Sequence, residues 1–86
     1  MAGVYDLTLA ETRAALAKGE VSPTELASAY IKAVEAARPL NAFITETPEI
    51  AMDMAKASEA RIARGEGGAM EGIPIGVKDL FCTKGV

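Results

Sequence analysis

The residues best suited to chemistry lie in Glu71-Gly-Ile-Pro-Ile-Gly-Val-Lys78-Asp79-Leu-Phe-Cys82-Thr-Lys84-Gly85. Ile73, Ile75 and Val77 alternate with Pro74, Gly76 and Lys78, and this period of two predicts a buried strand over residues 73–78. Pro74 is tolerated near a strand start, where a missing amide donor costs little. Gly76 shares the face of Lys78 and removes bulk beside its ammonium. Lys78 would then stand at the C-terminal end of a strand, where α/β folds often place ligands. Two readings of such a lysine stay open. In one, the stem packs on apolar neighbours while the head reaches water or pairs with Asp79. In the other, the side chain is desolvated against the apolar strand, its neutral form is favoured, and it takes a proton as a base. Asp79 projects to the opposite face and is expected to cap the turn into Leu80-Phe81. Cys82 reads as a small buried hydrophobe rather than a nucleophile, and Lys84 as charged and exposed.

Little other chemistry is available. The chain has no histidine, so it forms no Ser-His-Asp triad. Its serines are Ser22, Ser28 and Ser58. Ser22 is better explained as a helix cap, and none of the three sits in the glycine-rich turn that exposes a nucleophile. Gly65-Glu-Gly-Gly68 lacks the lysine and hydroxyl residue of a phosphate-binding loop. One cysteine and no Cys/His cluster exclude an internal disulfide and a zinc site, so no metal or cofactor is expected in this chain. The net charge of −3, without a basic cluster, argues against direct nucleic-acid binding. No run is apolar enough to span a membrane, and Met1-Ala-Gly-Val-Tyr does not open like a signal peptide. A reducing cytoplasm is the expected location.

Three helices must position the Lys78 segment. Thr8-Leu-Ala-Glu11 forms a capping box and predicts a first helix from Leu9 to Lys18, stopped by Gly19. Leu9 and Leu16 share a face of it. Ser22, Pro23 and Glu25 start a second helix with a stripe of Leu26, Tyr30, Val34 and Ala37, flanked by Ala27 and Ile31. It ends at Arg38-Pro39, because the residue before proline is pushed out of the helical region. Ala42-Phe-Ile-Thr45 predicts a short strand. Thr47-Pro48 starts a third helix, with Glu49 in its first turn and Gly65 as its stop. Its buried stripe is expected to be Ala51, Met54, Ala55, Ser58 and Ile62. Met52 and Met54 read as adaptable packing, and Lys56, Glu59, Arg61 and Arg64 as a solvated side.

At 86 residues the chain is at most one small domain. Half of it is hydrophobic, but 17 residues are alanine and only two Phe, two Tyr and no Trp are present. Such a core is marginal in isolation.

Gly72-Ile-Pro-Ile-Gly-Val-Lys78-Asp79, followed by Cys82-Thr-Lys84-Gly85, resembles the opening motif of the amidase-signature family. Leu40-Asn-Ala-Phe-Ile-Thr45 and the helical opening extend the likeness, over most of the chain, to the tRNA-dependent amidotransferases of that family. The resemblance implies an α/β fold with a mixed sheet between helices. Residues 1–86 would be one N-terminal fragment of it, mostly helical, with three helices plus one or two short strands. Its parts would be a helical hairpin or angled corner at 1–40, a short strand and third helix at 41–70, and a core strand with a catalytic-lysine turn at 71–86. Family members use a Ser–cis-Ser–Lys triad. The resemblance makes Lys78 the base, relaying through a bridging serine to a nucleophilic serine that attacks a carboxamide and forms an acyl-enzyme. Both serines belong to a Gly/Ser-rich segment downstream of the lysine motif, so the 86 residues alone are expected to be inactive. The implied substrate is glutamine or asparagine, and the product ammonia. The implied partners are amidotransferase B and C subunits in a heterotrimer. The B subunit would bind the tRNA and use ATP and magnesium to convert glutamyl-tRNA(Gln) to glutaminyl-tRNA(Gln). Two other functions remain: a stand-alone amidase of another small amide, and a non-catalytic helical module that docks to a partner or itself. The last draws on the unpaired edges that a lone strand at Ile73–Lys78 would carry.

Overall fold

A computed structural model describes residues 4–86; the opening Met1-Ala-Gly lies outside them. A 3-10 turn at Val4–Asp6 leads into α1 (Leu9–Lys18), α2 (Pro23–Ala36), a second 3-10 turn (Arg38–Leu40) and α3 (Pro48–Ala63).

The helix ends follow from side-chain and backbone chemistry. At the start of α1, the Glu11 amide donates to Thr8 Oγ1 (3.1 Å) and the Thr8 amide donates to Glu11 Oε1 (2.9 Å). Ser22 and Glu25 make the same reciprocal pair at α2, with Pro23 at the first helical position. Gly19 ends α1 in the left-handed region at φ 73°, and its amide donates to Leu16. At the end of α2, the Ala37 amide donates to Ala33 and Val34, and the chain then turns through Pro39. Thr47 precedes α3 without a side-chain capping bond, so Pro48 and Glu49 carry the start signal.

The core is small. Leu26 is fully buried, and Leu16, Ala27 and Ala55 are nearly so. The second and third helices pack against each other, with Thr24 Oγ1 donating to Glu59 Oε1 across the pair (2.9 Å). The first turn rests on α2 through Tyr5, whose hydroxyl donates to the Ala29 carbonyl (2.7 Å) and whose ring meets Tyr30 edge-on at 5.3 Å. After α2, Arg38 grips Glu46 with Nε and Nη2, the latter at 2.9 Å, and ties off the intervening loop.

Several expectations are corrected. Among the described residues there is no strand: residues 41–47 and 73–78 have no ladder partner. Among the described residues the expected strands are not formed, and these residues are helical with irregular connections. An alternating sequence becomes a strand only when another backbone supplies its hydrogen bonds. Leu9 is 51% exposed although Leu16, on the same face, is buried, because α1 meets Pro23 and Gly72 near its C-terminal half. Met54 is exposed rather than part of the α3 stripe, while Met52 is half-buried. The buried seam of α3 consists of the small residues Ala55 and Ser58, and it is too narrow to cover Met54. Glu59 and Arg61 are not merely solvated, since each bonds a residue of another segment.

Candidate active-site segment

The chain leaves α3 through Gly65, at φ 73°, and folds back over residues 66–72 towards the first two helices. Glu71 is the centre of this return. Its Oε2 accepts from Ser58 Oγ at 2.5 Å and from Arg61 Nη2 at 2.8 Å. Its Oε1 accepts from the Gly68 amide at 3.3 Å. Arg61 Nη2 also donates to Ser58 Oγ at 3.2 Å, closing a triangle of three side chains. The hydrogen bond from Arg61, then those from Ser58 and Gly68, hold the Glu71 carboxyl down at about 2. Reciprocally, the carboxylate holds the Arg61 guanidinium above its ordinary value.

Gly72 follows immediately and meets two requirements for glycine. Its φ is +83°, and a Cβ there would lie 2.9 Å from Pro23 Cγ and 3.4 Å from Leu16 Cδ1. The main chain can lie against the start of α2 and the end of α1 only without a side chain.

Beyond Gly72 the backbone hydrogen bonds are local. The Ile73 amide donates to Met70, Phe81 to Lys78, and Val86 to Thr83. Lys78 is exposed, and so are the neighbours expected to wall it in: Ile75 is 73% exposed and Val77 58%. The apolar enclosure expected around the ammonium is thus not formed by the described residues. The turn after Lys78 is closed by backbone, the Phe81 amide reaching the Lys78 carbonyl at 3.1 Å, while Asp79 is exposed. Cys82 is an exposed free thiol, contrary to the buried position expected for it, because Leu80 and Phe81 beside it are not covered either. Lys84 is exposed.

The serines Ser22 and Ser58 are occupied with structure. Ser22 Oγ accepts from the Glu25 amide, and Ser58 Oγ donates to Glu71. Among the described residues no group of His, Cys, Asp and Glu could hold a metal ion. No described helix is long and apolar enough to cross a membrane. Sequence reasoning misses the Ser58–Arg61–Glu71 triangle. Its signal is Ser58 itself, a hydroxyl in an otherwise apolar stripe, which must find a partner when buried.

Comparison with known proteins identifies the family. The family model described as Amidase covers residues 25–86, and the chain belongs to the amidase family. Its relatives include proteins named as the A subunit of glutamyl-tRNA(Gln) amidotransferase. The one from Xanthobacter autotrophicus is 57% identical over 100% of this chain and 17% of its own length. That from Parvibaculum lavamentivorans is 57% identical over 100% of this chain and 18% of its own. That from Cereibacter sphaeroides is 61% identical over 94% of this chain and 16% of its own. The chain therefore spans less than a fifth of the length of these relatives. No solved structure matches the chain.

Proposed function

We propose that this chain is the N-terminal part of the A subunit of a glutamyl-tRNA(Gln) amidotransferase, and that it contributes the catalytic base Lys78. The observation that carries the reading is the 57% identity, over the entire chain, to proteins of that name. In this reading Lys78, in its neutral form, takes a proton from a bridging serine. That serine in turn takes the proton of a nucleophilic serine as it attacks the carboxamide carbon of glutamine. The proton held by Lys78 returns through the bridging serine to the amide nitrogen, the C–N bond breaks and ammonia leaves; water, deprotonated through the same relay, then releases glutamate from the acyl-enzyme and restores the serine hydroxyl. The two serines belong to a part of the protein outside these 86 residues. The exposed Ile75, Val77, Leu80 and Phe81 suit a segment that other parts of an α/β domain cover. That cover would desolvate Lys78 and pair residues 73–78 into a sheet.

The ammonia would pass to a B subunit, which binds tRNA and uses ATP and magnesium, with a C subunit holding the other two together. The acidic charge balance of this chain agrees with leaving tRNA and nucleotide to a partner. The assembly would work in the cytoplasm.

The test is glutamine hydrolysis by the full-length protein. Lys78→Ala should abolish ammonia release while the far-ultraviolet circular dichroism and melting temperature stay near those of the parent. Near-normal turnover would remove Lys78 from the mechanism. The 86-residue chain by itself should release no ammonia, since in this reading the bridging and nucleophilic serines lie outside it.

A further inference from the structure

The tertiary hydrogen bonds that precede Lys78 end at Glu71. From residue 73 onward, the backbone hydrogen bonds reach only three residues back along the chain. The direction in which the Lys78 segment leaves the helices is therefore set at Glu71 and Gly72. Glu71 is held from three sides: by Ser58 and Arg61 on α3 and by the Gly68 amide in the return loop. Ser58 and Arg61 stand three residues apart and so face the carboxylate together from one side of α3. Only 15% of the Glu71 side chain is exposed, against 43% for Arg61, so the bonds are sheltered on the carboxylate side. Gly72 follows at once and lies close to Pro23 and Leu16, where an added Cβ would come within 2.9 Å of Pro23 Cγ, so the segment leaves along the helices by a path that admits only glycine.

We infer that Glu71, clamped by Arg61 and Ser58, is a positioning residue for Lys78: it anchors the root of the segment so that the lysine reaches its proton-transfer partner in register. The inference rests on the reading of Lys78 as the base. Glu71 itself touches no reacting atom. A carboxylate suits the role because it accepts several donors at once, and charge-assisted bonds of this kind are stronger and more directional than neutral ones. Misplacement of a catalytic group by about 1 Å costs on the order of 100-fold in rate.

The test uses the full-length protein and two independent readouts: amide hydrogen exchange over residues 72–81, and kcat and KM for glutamine. Glu71→Ala should speed exchange across 72–81 and lower kcat about 10- to 100-fold with KM little changed. Glu71→Gln keeps acceptor oxygen for one or two of the donors and should recover part of the kcat. Ser58→Ala removes one donor but spares the ion pair. It should reproduce a weaker form of both effects, and it decides the matter should Glu71→Ala not fold. Unchanged exchange in these variants would overturn the anchor. Faster exchange with unchanged kcat would overturn the positioning role. Full turnover by Lys78→Ala, measured alongside, would instead overturn the assignment of the base, while the exchange data would still decide whether Glu71 anchors the segment.

Discussion

Glu71 shows how one side chain can hold a segment that has no regular structure of its own. Its carboxyl titrates near 2 in the folded chain, against an ordinary 4.5, mainly because Arg61 and Ser58 donate to its charged form. Between those values the unfolded state binds the proton and the folded state does not. The stabilisation is therefore complete above pH 4.5 and is lost as pH falls towards 2. Glu46, held low by Arg38, and Glu11, held low by Thr8, act in the same direction. Urea midpoints of the parent should fall steeply on acidification through this window, and those of Glu71→Gln should fall less. Parallel curves would show that the Glu71 bonds contribute nothing to folding in solution. Gly72 makes a second prediction at this scale. Gly72→Ala should destabilise the fold by about 1–2 kcal/mol for the left-handed conformation alone. Contact with Pro23 adds to this, and a melting curve measures the sum.

The helices owe their boundaries to local chemistry and their stability to few contacts. Two capping boxes, at Thr8/Glu11 and Ser22/Glu25, satisfy amides that a helix start would otherwise leave unpaired. Ser22→Ala should cost about 1 kcal/mol, read by chemical denaturation. The same change at Ser28, which caps nothing, should cost less. The third helix packs on the second, and its buried residues are the small Ala55 and Ser58. That narrow seam leaves Met54 in water and gives Ser58 its access to Glu71. One element thus serves two purposes, as packing partner for α2 and as the base of the clamp on the Lys78 segment.

For the whole molecule, the balance between covered and uncovered apolar surface is decisive. Leu26 is the single large side chain fully buried among the described residues, while Leu40, Ile44, Ile75, Leu80 and Phe81 are each well exposed. Leu26→Ala should cost about 2–5 kcal/mol and leave the 86-residue chain largely unfolded, because a domain this small has little stability to lose. The uncovered residues cluster in segments 40–44 and 73–81, the stretches whose sequence favours strands. Light scattering of the isolated chain should show association that grows with concentration, and Ile75→Lys should reduce it. A monomer at all concentrations would count against an apolar surface that needs cover.

The sequence by itself determined what local chemistry can determine. The limits of the three helices, both capping boxes, the left-handed stops at Gly19 and Gly65 and the burial of Leu26 follow from residues within a few positions of one another. The motif around Lys78 likewise pointed to the amidase family without any coordinates. Contacts between segments distant in the chain were decided only by the tertiary structure. Neither the Glu71 clamp nor the seat of Gly72 on Pro23 has a periodic signature, since each depends on how the return loop lies across the helices. The strands failed for the complementary reason. Alternation at Ile73, Ile75 and Val77 records a preference for two-sided burial, but a strand exists only when neighbouring backbones pair with it, and none of the described residues does.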